Sequence, residues 1–148
     1  MATVATYLNF PRNTEEAFTF YKSVFKTEFY GPIMRFGPKA CGDQVVPEAD
    51  QNLVMHVGLP ILGGHLLMGT DTIEGMGQPH VAGNNVSINL MPDTKAEADA
   101  LFAALSEGGT VGCPMQDMFW GDYFGFLTDK FGINWMVNCP NPTNHCPQ

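Results

Sequence analysis

Charge is scarce in this chain: 15% of its 148 residues are Asp, Glu, Lys or Arg, with seven basic residues against fifteen acidic ones. A formal charge of −8 has the wrong sign for an electrostatic hold on phosphate backbones, so a nucleic-acid partner is not expected. Long apolar runs are missing too. No window reaches the ~18 uninterrupted apolar residues of a membrane-spanning helix. The opening MATVATYLNF has no basic stretch and no long apolar run. Neither a signal peptide nor a membrane partner is expected, and the protein should be cytoplasmic. Cysteines are few and dispersed: Cys41, Cys113, Cys139 and Cys146 form no Cys-x-x-Cys pair, which argues against a zinc knuckle or thioredoxin-type motif and for reduced thiols. Also missing are the Gly-x-x-x-x-Gly-Lys-Ser/Thr phosphate loop, a Gly-x-Gly-x-x-Gly turn opening a helix, a Gly-x-Ser-x-Gly elbow and a His-Glu-x-x-His helix.

What is present is apolar and richly punctuated. Hydrophobic residues make up 45% of the chain, with 16 glycines and 11 prolines, a composition suited to short elements joined by many turns. The length suits one domain, residues 1–148, able to bury its own core. Its Pro- and Asn-rich end, 140–148, is expected to be a flexible tail.

The order of elements repeats. Val4 to Phe10 reads as a strand, followed by a turn at Pro11-Arg12-Asn13 and a helix capped by Asn13 or Thr14, with Ala17, Phe20, Tyr21, Val24 and Phe25 on its apolar face. Glu28 to Phe36 comes next, then strands Leu53 to Leu59 and His65 to Gly69 around the Gly63-Gly64 turn. Segment 71–85 reads as a connector. Val86 to Met91 then alternates like a half-buried strand, Thr94 and Glu97 form a capping box for a second helix bearing Ala98, Leu101, Phe102 and Leu105, and Gly108-Gly109 ends it. Thr110 to Met115, Gly121 to Thr128 and Ile133 to Asn138 follow as strands. The pattern predicts an α+β protein of two βαβββ half-modules, about 4–72 and 84–139, about 80 residues apart. In each, one helix covers one face of a small sheet, and pairing two such sheets creates a concave cleft for a small molecule.

Particular residues carry a family likeness. Tyr7-Leu8-Asn9-Phe10, Phe20-Tyr21-Lys22-Ser23-Val24-Phe25, Leu67-Met68-Gly69-Thr70-Asp71, Phe119-Trp120-Gly121-Asp122-Tyr123-Phe124-Gly125 and Trp135-Met136-Val137-Asn138-Cys139 resemble PhnB-like proteins of the vicinal-oxygen-chelate superfamily, which includes glyoxalases, bleomycin-resistance proteins and dioxygenases. The resemblance spans residues 4 to 139. It implies the paired βαβββ fold and a homodimer, within a superfamily holding both metal enzymes and metal-free binding proteins. Such sequences are often labelled demethylubiquinone methyltransferases, yet no glycine-rich adenosylmethionine loop occurs here.

Superfamily enzymes hold a divalent ion with four His or Glu ligands from the first and last strands of each half. Here the corresponding positions fall near Ser87, Met68 and Met136, and on the first strand at Ala5, Tyr7 or Asn9, with Thr6 substituting if the register slips by one. Thioethers and amides are poor partners for such ions, so neither metal nor another cofactor is expected. His56 is the candidate catalytic acid or base, or a ligand-binding group; the alternative is a histidine that only hydrogen-bonds inside a polar cleft. His65 and His80 read as solvated turn residues. Strand parity puts Tyr7, Asn9, Met68, Ser87, Asn89, Asn134, Met136 and Asn138 on the cleft side, the amides able to orient a neutral or amphipathic molecule unless local contacts satisfy them. Trp120, Tyr123 and Phe124 could wall the cleft, meet a dimer partner or pack in the core. Asp117 and Asp122 flank Trp120 and read as solvated, the alternative being that one of them orients His56 or a ligand amine. The expectation is a metal-free, homodimeric small-molecule-binding protein; its rival is a metal-dependent lyase, isomerase or dioxygenase of glyoxalase type.

Overall fold

The structure, a computed structural model, describes residues 1–39 and 42–140. Cys41, Cys146, His145 and most of the expected flexible tail lie outside them. The chain divides into two compact units, Met1–Val81 and Ala82–Gln148. Each holds one helix on one four-stranded sheet.

In the first unit β1 (Thr6–Phe10) leads through Pro11-Arg12-Asn13 into α1 (Thr14–Phe25), followed by β2 (Met34–Arg35), β3 (Val54–Pro60) and β4 (Leu66–Asp71). The sheet order is β1-β4-β3-β2, with β1 parallel to β4 and the other pairs antiparallel. Gly31-Pro32 and Gly37-Pro38 flank β2 and keep it to two residues, because proline brings no N–H to a ladder. Alternation in β4 sorts the faces: Leu67, Gly69 and Asp71 are buried, while Met68 and Thr70 are half-exposed. Helix α1 buries Thr14, Ala17, Phe18, Tyr21 and Val24. Phe18, rather than the expected Phe20 or Phe25, is the centre of that face. Its ring meets Phe10 edge-on and leaves Gly69 no room, since a Cβ there would lie 2.5 Å from the ring.

Helix α1 is also not capped as its sequence suggests. Asn13 makes no side-chain cap bond. Instead the buried Asp71 carboxylate accepts the Thr14 N–H at 2.9 Å and the Val54 N–H at 2.8 Å, tying the helix start to two strands. A distant strand thus supplies the negative charge that the helix N-terminus favours.

The second unit runs β5 (Ile88–Leu90), α2 (Lys95–Ser106), β6 (Thr110–Asp117), β7 (Tyr123–Thr128) and β8 (Asn134–Cys139), in sheet order β5-β8-β7-β6. The expected strands at 86–91 and 121–128 begin later, and the one from Thr110 continues through two irregularities to Asp117. Here the cap is local: Thr94 Oγ1 accepts the Glu97 N–H at 3.1 Å. Ala98, Leu101, Phe102 and Leu105 are buried on α2, and Leu90, Leu127, Trp135, Val137 and Cys139 on the sheet. Trp135, the largest fully buried side chain, keeps its indole N–H satisfied by donating to Asp129 Oδ2 at 2.8 Å. The other oxygen of Asp129 accepts the Phe131 and Ile133 N–H groups and closes the β7–β8 turn.

Candidate functional site

Each sheet has one face turned away from its helix, and most of the sequence-predicted site residues lie on those two open faces. In the first unit Tyr7 pairs with Met68 across β1 and β4, and Met68 pairs with Gly58 across β4 and β3. His56, two residues before Gly58, shares that face and stands opposite Met34 of β2. The Tyr7 hydroxyl lies 3.1 Å from His56 Nδ1, with the two rings 5.7 Å apart at 37°. Neighbouring strands are ~4.8 Å apart, so this contact reaches across the whole width of β4. Partial burial pushes the Tyr7 phenol above its ordinary pKa. Asn9 is exposed at the end of β1, where parity placed it; the one-residue slip that would have exchanged it for Thr6 does not occur. Thr6 bonds instead to His65, Oγ1 to Nε2 at 2.8 Å, so His65 is a half-buried tie between β1 and the β3–β4 turn rather than a solvated turn residue. His80 is exposed.

The second open face is aromatic and amide-rich. Met136 pairs with Asn89 on one side and with Phe126 on the other, and Asn138 pairs with Phe124. Trp120, Phe124 and Phe126 form a row at 6.0 and 6.2 Å between centroids, continued by Phe119 at 5.0 Å from Trp120. Phe119 is almost wholly exposed, and Trp120 and Phe126 nearly half. Tyr123 leaves the expected wall, since its alternate parity sends its hydroxyl to donate to Asp99 of α2 at 2.6 Å, beneath the Lys95 ammonium. Phe126 takes the vacated place. It escaped the sequence reading because its strand, YFGFLT, is apolar on both faces and shows no alternation.

The amides separate. Asn134 is held locally: its Oδ1 accepts the Thr128 hydroxyl at 2.9 Å and its Nδ2 donates to the Gly83 and Val86 carbonyls. Asn138 donates to Asp122 at 3.2 Å, while its Oδ1 is buried without a partner among the described residues. Ser87 and Asn89 are exposed. Asp117 is exposed, as expected, and pairs at the surface with Lys95 at 2.8 Å, whereas Asp122 is half-buried and accepts from Asn138.

The donor set of these faces does not suit a divalent ion. Among the described residues no three His, Cys, Asp or Glu side chains gather. The paired positions on the first and last strands hold phenol, amide and thioether groups: Tyr7 with Met68, and Asn89 with Met136.

Residues 2–138 match the family described as 3-demethylubiquinone-9 3-methyltransferase, and a solved structure from Bacillus cereus, described as a putative 3-demethylubiquinone-9 3-methyltransferase and PhnB protein, is 25% identical with a TM-score of 0.71, covering 93% of this chain and 99% of that one. The chain belongs to this PhnB-like family. Another solved relative of the PhnB-like chain, protein PA1353 from Pseudomonas aeruginosa, is 36% identical with a TM-score of 0.79, covering 95% of this chain and 98% of that one. A glyoxalase/bleomycin resistance protein/dioxygenase family enzyme from Burkholderia phytofirmans, 18% identical with a TM-score of 0.59 over 92% and 98% of the two chains, shares the fold. Two four-stranded sheets, each with one helix, are thus the α+β vicinal-oxygen-chelate architecture.

Proposed function

We propose that this PhnB-like protein binds an amphipathic small molecule on its open sheet faces without a resident divalent metal, and that His56 is the group on which any proton transfer turns. The observation that carries this reading is the composition of those faces. One presents a hydrogen-bonding Tyr7–His56 pair beside Met34 and Met68, and the other presents exposed aromatic rings beside the Met136 thioether and the exposed Asn89 amide. Apolar surface set with a few oriented polar groups is the usual make-up of a small-molecule site. Asn134, locked to its own connector, is the weakest member of the predicted set.

The metal-free reading is supported by donor chemistry, since the thioethers of Met68 and Met136, on the last strands of the two units, are poor ligands for divalent ions. Nickel, zinc, manganese or iron retained near one equivalent through dialysis, read by elemental analysis, would favour the lyase, isomerase or dioxygenase reading. The family's methyltransferase description finds little support in the first strand–helix turn, which is Pro11-Arg12-Asn13 rather than a glycine-rich phosphate-binding loop. No described helix is long and apolar enough to cross a membrane. A cytoplasmic homodimer completes the reading, supported by the family and by exposed Phe119 and Val111, which a second copy can cover.

The test is emission from Trp120 during a broad screen of amphipathic compounds, with Trp120→Phe assigning the signal. A saturable change in the native protein, lost in the variant, is expected. If no compound perturbs Trp120, the binding reading fails.

A further inference from the structure

The Tyr7–His56 contact does more than decorate an open face. Neutral imidazole carries one proton, on either nitrogen, and the partner of one nitrogen decides what the other presents. Here the partner of Nδ1 is a phenol, a better hydrogen donor than acceptor. Burial raises the Tyr7 pKa further, so the hydroxyl keeps its hydrogen throughout the physiological range. No competing acceptor for that hydrogen is placed on Tyr7 among the described residues: across from it lies Met68, and beside Met68 lies Gly58, which has no side chain. The contact is also held from both sides of β4. Tyr7 is fixed on β1 by a five-residue parallel ladder to β4, and His56 on β3 by pairing with Met34 on one side and by the β3–β4 ladder beginning at Val57 on the other.

We propose that Tyr7 is a positioning residue that donates its hydroxyl hydrogen to His56 Nδ1, so that neutral His56 carries its proton on Nε2 and offers it to an oxygen acceptor on the ligand. The ligand class follows from this and rests on the binding reading above. It is a molecule with a carbonyl or carboxylate oxygen directed at His56 and an apolar portion laid on the Met34 and Met68 thioethers. Flexible, polarisable side chains accept an apolar group of variable outline, whereas the Nε2–H donor is selective for an acceptor. A ligand that offers His56 only N–H donors is disfavoured.

The tautomer can be read without any ligand, which separates this proposal from the binding reading. Imidazole nitrogen-15 spectra of the full chain, recorded where His56 is neutral, should show His56 predominantly protonated on Nε2. In Tyr7→Phe, which keeps the ring but loses the hydroxyl, the Nδ1-protonated fraction should rise toward that of an unperturbed histidine side chain while the thermal midpoint stays close to that of the native protein. A predominantly Nδ1-protonated His56 in the native chain, or an unchanged distribution in Tyr7→Phe, overturns the proposal, whatever the Trp120 screen shows. For the ligand class the probes are 2-hexanone and hexylamine. Hexanone should move the His56 Nε2 resonance and bind Tyr7→Phe up to about twofold more weakly, because only the Nε2-protonated fraction of His56 is competent, and hexylamine should leave that resonance in place. No hexanone response at His56 in the native protein, or an equal response to hexylamine, removes the Nε2–H donor from recognition.

Discussion

Single residues carry much of the fold's specificity, and Asp71 is the clearest case. It is buried, and its two oxygens serve the Thr14 and Val54 N–H groups. Asp71→Ala leaves both donors buried and unpaired, and should cost about 2–4 kcal/mol, measured as a lower urea midpoint. Asp71→Asn keeps one acceptor and should cost less. Cysteine reactivity offers a second test. Burial raises the Cys139 thiol above its ordinary pKa, whereas Cys113 is half-exposed. Since the thiolate is the reacting species, mass spectrometry after brief iodoacetamide treatment of the folded protein should show Cys113 alkylated well before Cys139. Neither the burial of Asp71 nor its two partners could be read from sequence, because a lone Asp after a Thr at the end of a strand looks like a turn residue.

At the scale of elements, the helices were legible and their attachments were not. The apolar spacing that located α1 is intrinsic to its sequence, but the choice of Phe18 as its centre depends on Gly69, on another strand. Gly69→Ala drives a methyl into the Phe18 ring and should destabilise the first unit by about 1–3 kcal/mol, again read in urea. The same helix gives a pH effect. The hydrogen bond from Arg35 lowers the Glu15 pKa below its ordinary value of 4.5. Stabilisation from a depressed carboxylate is therefore present above 4.5 and lost as the pH falls through the folded-state value. Both side chains are well exposed, so solvent screening limits it to a few tenths of a kcal/mol. Glu15→Gln should lower stability slightly at neutral pH and match the native protein in acid.

For the whole molecule, the duplicated strand–helix–three-strand order and the family were readable because repetition and long motif runs survive without knowledge of contacts. Open-face membership followed wherever a strand alternated, as in β1 and β4, and was lost for Phe126 in a strand apolar on both faces. What parity cannot show is engagement: it grouped Asn89, Asn134 and Asn138 together, yet only the contacts separate an exposed amide, one locked to a connector and one left half-satisfied. The homodimer is a molecular-scale prediction. Sedimentation velocity at micromolar concentration should give about twice the 16.2 kDa chain mass, and Phe119→Asp should shift the distribution toward monomer if that exposed ring lies in the interface. A monomer at all concentrations removes the dimer from the proposal.

The two helices begin by different means, and this bears on how the chain comes into being. Helix α2 has its cap three residues away, so its first turn is satisfied from within its own stretch of chain. Helix α1, although synthesised first, depends on a carboxylate 57 residues downstream. The earlier half should therefore wait, its first helix fraying until β4 has emerged and docked. A nascent chain stalled just short of Asp71 should accordingly be far more open to protease around Thr14 than one stalled some forty residues later, once the usual ribosomal tunnel length has been cleared.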